Sequence, residues 1–222
     1  MKAEAIVILK SLSDFVVGAE GNVSARTENG FVIKPSGYSF NEIQEEDLVE
    51  CYLDGTPIHH NKKPSMEVTF HSWLYSNYEC NYIAHTHPTN TLKILCSETL
   101  THIFTNKRLF PDQVIYNGDK SCLVPYTTPG KDLTNAIKLH VNKFRDNNFY
   151  FPKVILLQNH GIITTGKSIK ECIYASQICE KSATILLGSY SAGHVNFLSQ
   201  EDIEKLLTNK DEKHRLKLLC QK

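Results

Sequence analysis

The segment Ile83-Ala84-His85-Thr86-His87-Pro88 narrows the backbone paths open to this chain more than any other. Tyr82 to His85 reads as a strand, and Pro88 suits the first turn of a helix running through Cys96. On an extended segment residues i and i+2 project from the same face, so His85 and His87 stand side by side. Two imidazoles so placed can share one divalent cation, and imidazole suits zinc. Asn159-His160-Gly161, directly after the apolar run Val154-Ile155-Leu156-Leu157, offers a third imidazole. Three protein ligands leave one coordination position for substrate, the pattern of a catalytic rather than a structural zinc site.

Composition narrows the setting. A chain of 222 residues is long enough for one domain with a sizeable core, and a single domain over 1–222 is expected. Lysine and arginine number 24 and aspartate and glutamate 24, so no basic field points to nucleic acid or to an anionic membrane. The apolar runs fall far short of the roughly 20 residues of a membrane helix. The start, Met1 to Lys10, is interrupted by Glu4 and Lys10 and reads as a first helix rather than a secretion signal. Seven cysteines, scattered with no CxxC pair, read as reduced thiols in a cytoplasmic protein.

Periodicity predicts a first helix reaching about Val17, and a hairpin from Val23 to Ile33 turning at Glu28-Asn29-Gly30. A strand is expected from Leu48 to Leu53, and a helix from Pro64 or Ser65 to Tyr75. Further helices are expected from Asp132 to Phe144 and from Ser168 to about Leu187, the latter with Glu171 at the capping-box position. Val154–Leu157 and Ile162–Thr165 read as strands around His160, and Leu206 to Lys222 as a solvated helix. The sum is a layered α/β domain, a sheet covered by helices.

Three loops carry anion chemistry. Gly18 to Ser24 places two glycines beside Asn22, Lys34-Pro35-Ser36-Gly37 sets a hydroxyl beside a glycine, and Lys63-Pro64-Ser65-Met66-Glu67 lies at a helix start. Backbone N–H groups at such turns and helix N-termini attract anions, although each loop alone is ordinary turn chemistry. Glu67 is the candidate base beside the metal. His71, four residues on and on the same helical face, is expected in a buried hydrogen-bonded role. The aromatic residues Phe70, Trp73, Tyr75 and Tyr78 fit helix burial, and His59-His60 are expected to be exposed with no extra metal.

Gly21-Asn22-Val23-Ser24, Pro35-Ser36-Gly37, Pro64-Ser65-x-Glu67 with His71 and Tyr75, His85-Thr86-His87 and Asn159-His160-Gly161 together resemble the class II aldolase/adducin family, in the family's order. The resemblance implies a central, mainly antiparallel sheet flanked by helices and a homotetramer with active sites between subunits. It implies one zinc ion, or another divalent metal, on His85, His87 and His160. Gly21, Asn22, Ser36, Gly37 and Ser65 would take a substrate phosphate, and Glu67 would be the catalytic acid/base. Met66 stands where the resemblance would place a second serine; its backbone N–H remains available to an anion. The family's aldolases also use a tyrosine from a neighbouring subunit. Tyr116 lies in about the right part of the chain, and Tyr126 reads as a packing residue.

The expected reaction is reversible cleavage of a short, fuculose-1-phosphate-like ketose phosphate to dihydroxyacetone phosphate and an aldehyde, through a metal-stabilised enediolate. Alternatives on the same scaffold are a dehydratase of the methylthioribulose-1-phosphate type, a decarboxylase, and a sugar-phosphate 4-epimerase, the last disfavoured by Glu67. A non-enzymatic, adducin-like interaction domain would lack the metal ligands that are present here.

Overall fold

The computed structural model describes residues 1–59 and 62–220. Helix α1 (Lys2–Ser11) precedes β1 (Asn22–Arg26), β2 (Gly30–Ile33) and β3 (Val49–Tyr52). Helix α2 (Val68–Asn77), β4 (Tyr82–Thr86) and α3 (Thr89–Leu95) follow, then α4 (Glu98–Asn106), α5 (Pro111–Asn117) and β5 (Cys122–Val124). The second half runs α6 (Lys131–Asn148), β6 (Val154–Leu157), β7 (Gly161–Gly166), α7 (Ile169–Ala192), α8 (Gln200–Thr208) and α9 (Lys210–Cys220). The strands form one sheet in the order β3-β2-β1-β4-β7-β6-β5. Every pairing is antiparallel except β5 with β6, which α6 joins as a crossover. The layered, mainly antiparallel α/β class expected from the sequence is the observed one.

Both faces of the sheet are covered, which explains why its central strands read as continuous apolar runs. In β6, Ile155 and Leu157 join Ile83, Ile163, Phe70 and Ile137 on the face carrying α2 and α6. The alternate residues Val154 and Leu156 face α3 and α7, beside Ile94, Leu95, Cys179 and Leu186. Farther along that second face, α1 covers Val23, Ala25 and Ala84 with Ile8, Leu9 and Leu12. Phe70, Tyr75 and Tyr78 are buried as expected and Trp73 packs against the same core.

Four local expectations need correction. The first helix stops at Ser11 and a short 3-10 turn covers Ser13–Phe15, after which the Phe15 carbonyl accepts the His87 N–H at 3.0 Å. Helix α2 begins at Val68 rather than at Pro64 or Ser65, which leaves Glu67 as its N-cap. Between Glu98 and Val124 the chain forms α4, α5 and β5, which periodicity did not single out. Their signals were local: Ser97 caps α4 by accepting the Leu100 N–H, and Pro111 opens α5. Tyr126 is 59% exposed rather than buried as a packing residue.

At the C-terminal end, α9 covers most of the stretch expected as a solvated helix from Leu206, α8 precedes it from Gln200, and Arg215 ties α9 to Asp112 at 2.8 Å. Gln221, Lys222 and His60 lie outside the described residues, and His59 is exposed. Among the described residues no helix is long and apolar enough to cross a membrane. Cys51, Cys80, Cys96, Cys122, Cys172 and Cys179 are free thiols, Cys96 exposed and the other five buried.

Ile163 is fully buried, pairs with His85 across the sheet and belongs to the core beneath α2 and α6. Ile163→Ala is expected to lower unfolding free energy by about 2–5 kcal/mol, read from the urea midpoint at constant slope.

Candidate active site and metal centre

Strand register builds the site. Asn22 of β1 pairs with His85 of β4 and Ser24 with Ile83, so Asn22, Ser24 and His85 share the face covered by α2. Two residues of a strand advance about 6.6 Å and four residues of a helix about 6.0 Å. Residues 67, 71 and 75 of the α2 segment can therefore step along β1 in time with residues 22 and 24.

The hydrogen bonds follow that match. Asn22 donates from Nδ2 to Glu67 Oε2 at 2.8 Å and to Ser65 Oγ at 3.2 Å. Its remaining carbonyl Oδ1 thus accepts from His71 Nε2, at 2.5 Å. His71 Nδ1 is then the acceptor for the Ser24 hydroxyl at 2.7 Å, and the Tyr75 hydroxyl donates to Ser24 Oγ at 2.8 Å. One directed chain, Tyr75 to Ser24 to His71 to Asn22 to Glu67, orients the carboxylate through buried groups. The buried, hydrogen-bonded role expected of His71 is the observed one.

The three histidines converge from separate elements. His85 lies in β4 and His87 just beyond its end, where Pro88 is the N-cap of α3. His160 ends the tight turn between β6 and β7, where Asn159 takes φ 54°, a left-handed conformation that asparagine tolerates. The next residue has no room for a side chain, since a Cβ on Gly161 would lie 2.6 Å from the His87 ring. The ring centroids are 4.8, 4.9 and 5.0 Å apart, close to an equilateral triangle. One ligand atom of each ring lies within 4.8 Å of the others.

The donor set fits a divalent cation. His85 Nδ1 donates to the Ile162 carbonyl at 2.9 Å, which leaves a lone pair on Nε2. His87 Nδ1 faces Glu20 Oε2 at 3.0 Å, which likewise leaves the His87 Nε2 lone pair outward. These two Nε2 atoms face each other at 3.0 Å. Two lone pairs at that distance repel unless a positive centre lies between them. Ligands around tetrahedral zinc, at about 2.0–2.1 Å from the metal, are roughly 3.3 Å apart. A proton is a poor substitute at His85, where burial first and the nearby His87 second hold the imidazole pKa down to about 3. His160 is lowered to about 4, again chiefly by burial, and its Nδ1 is buried with no partner among the described residues. Glu67 stands against this cluster, with Oε2 3.3 Å from His85 Nε2 and Oε1 3.7 Å from His160 Nε2.

A cavity of about 280 Å³ opens over the cluster. All five residues expected to take phosphate, Gly21, Asn22, Ser36, Gly37 and Ser65, line it beside Glu67, His87 and His160. Gly21 takes φ 68°, and a Cβ there would lie 2.7 Å from the His85 carbonyl oxygen. The Met66 amide, expected to be open to an anion, instead donates to Ser36 Oγ at 3.3 Å, and its side chain is 74% exposed at the rim. Lys34 also lines the cavity, although its sequence context suggests only a polar loop. It is buried, its ammonium donates to the carbonyls of Ala19 and Gly21 at 3.0 Å each, and burial lowers its pKa to about 8 against the opposing effect of Glu67. Tyr116 is not among the lining residues; it packs edge-on to Tyr174 with Arg215 over its ring.

Burial, and secondarily the charge of His85, holds the His71 imidazole well below its ordinary pKa of 6.5. Below pH 6.5 the unfolded chain then binds a proton that the folded chain does not, so stability rises with pH up to that value and levels off above it. The metal-free protein is expected to lose up to about 1.4 kcal/mol per pH unit per such histidine between pH 6.5 and 5. Urea midpoints across that range check this, and a flat profile would show that the buried histidines of the site are charged in the fold.

The chain matches the family model described as Class II Aldolase and Adducin N-terminal domain over residues 4–187. It is 30% identical over 201 residues to a 3-oxo-tetronate 4-phosphate decarboxylase from Pectobacterium atrosepticum, covering 86% of this chain and 84% of that protein. It is also 30% identical over 173 residues to an L-fuculose phosphate aldolase from Methanococcus maripaludis, covering 77% and 86%. The crystal structure of YgbL from Klebsiella pneumoniae superposes with a TM-score of 0.77 at 26% identity, over 92% of this chain and 96% of that one. With the histidine cluster, the carboxylate and the glycine-lined cavity in the family's order along one sheet, the chain belongs to the class II aldolase and adducin N-terminal domain family.

Proposed function

We propose that this protein is a zinc-dependent lyase that cleaves a carbon–carbon bond in a short phosphorylated ketose, yielding dihydroxyacetone phosphate and an aldehyde. The observation that carries this reading is the pair of facing Nε2 atoms of His85 and His87, with the Glu67 carboxylate 3.3 Å from the first. A divalent ion held by His85, His87 and His160 supplies Lewis-acid stabilisation for a carbonyl oxygen and for the negative charge released when the bond breaks.

The chain's own residues do the rest. Asn22 occupies Glu67 Oε2, which leaves Oε1 to carry the proton exchanged with the substrate carbon. The backbone of Gly21 and Gly37 and the hydroxyls of Ser36 and Ser65 line the end of the cavity that would take the phosphate. The scattered reduced cysteines support a place in the cytoplasm, and the family resemblance supports a homotetramer with active sites between subunits.

A second reading is supported by the relative named as a 3-oxo-tetronate 4-phosphate decarboxylase. Loss of carbon dioxide from a phosphorylated keto acid leaves electrons on the same carbon that aldol cleavage does, so the same Glu67 and imidazoles serve. Product analysis separates the two, since one yields an aldehyde and the other carbon dioxide.

Protein purified without chelator is expected to contain about one zinc per chain by mass spectrometry, and His85→Ala none; an equal content would remove the site. Glu67→Gln is expected to lower kcat by about 10²–10⁴-fold. Near-normal turnover in that variant would take the proton-transfer role from Glu67. Because the Met66 side chain sits at the rim, Met66→Ser should lower KM for a phosphorylated substrate by roughly three- to tenfold, the worth of one added hydrogen bond. An unchanged KM would place the phosphate elsewhere.

A further inference from the structure

We propose that Glu20 is a positioning residue for the metal centre: its carboxylate fixes the tautomer and orientation of His87, so that Nε2 is presented as a ligand. The inference rests on the reading of His85, His87 and His160 as metal ligands and adds to it a residue outside that set.

The geometry is that of a held carboxylate. Glu20 Oε1 accepts the Val17 N–H at 2.6 Å, which fixes the side chain on its own loop. The other oxygen, Oε2, lies 3.0 Å from His87 Nδ1. The loop itself is clamped from below, because the Lys34 ammonium donates to the carbonyls on either side of Glu20, those of Ala19 and Gly21. The other side of the contact is held equally well. The His87 N–H donates to Phe15 O at 3.0 Å, and the ring packs so closely on Gly161 that a Cβ there would touch it.

A neutral imidazole carries one N–H, and its site decides which nitrogen can ligate. His85 settles this with the Ile162 carbonyl. His87 has Glu20 for the same purpose, and a carboxylate also raises the basicity of the ligating nitrogen. Both Glu20 oxygens act as acceptors, one for Val17 N–H and one for His87 Nδ1–H. A glutamine amide at this position offers only one acceptor oxygen, so it cannot satisfy both donors. The requirement is thus for glutamate specifically, at a position where sequence alone suggests only a turn.

The test compares wild type, Glu20→Ala and Glu20→Gln by chelator-competition zinc affinity and by the melting temperature of the metal-free protein. Zinc binding about 10–100-fold weaker in Glu20→Ala, with metal-free melting unchanged, is the expected result. Glu20→Gln should fall between that variant and wild type. If Glu20→Ala also lowers metal-free melting, the shape-matched Glu20→Gln decides: weaker binding with unchanged melting supports the role. Zinc affinity equal to wild type in the deciding variant overturns the inference and leaves the three-histidine site standing. Absence of zinc binding by wild type overturns that site, and the inference with it.

Discussion

The pairing of Asn22 with His85 across β1 and β4 is the contact on which the site depends. A shift of one residue in that register would turn Asn22 and Ser24 toward α1 and place Val23 against His71. The pairing also brings the backbone turn at Gly21 against the His85 carbonyl, an approach only glycine allows there. Because both faces of the sheet are buried, any such slip would also exchange polar residues for the apolar residues of two cores. The hydrophobic pattern that stabilises the sheet therefore also aligns the chemistry.

Burial has a second consequence at this end of the sheet. His71 is fully buried and both His85 and His160 are largely so, and withdrawal from water disfavours their cationic forms. A neutral imidazole is the form that ligates metal and the form that can accept from one neighbour while donating to another. The same burial forces every polar group in the cluster to find a partner. That requirement gives the chain from Tyr75 to Glu67 a definite direction, since assigning the Asn22 amide assigns all the groups beyond it. A mobile carboxylate becomes an oriented one without contributing any residue of its own to the sheet.

Much of this was legible before folding. The HxH pair at the end of a short strand, the turn around His160 and the glycine loops pointed to their places because each depends on local backbone geometry. Glu67 and His71 followed from helical spacing. Other features were not legible, for reasons of the same kind. Glu20 reads as a loop residue because its partner lies 67 positions along the chain, reached only when Phe15 and His87 bond. Lys34 reads as part of a polar turn because nothing local indicates that its ammonium is enclosed by three carbonyls, those of Ala19, Gly21 and Pro35.

By itself the sequence determined most of the element types outside the stretch from Glu98 to Val124, the apolar faces and the identity of the groups able to bind a cation, an anion or a proton, because those follow from side-chain chemistry and from periods of 2 and 3.6 residues. The tertiary structure alone decided which nitrogens face one another, which oxygen of Glu67 is left open and which carboxylate supports His87. Those outcomes depend on distances between chain segments far apart in sequence, and they were set only when the sheet acquired its register and α2 came to lie along β1.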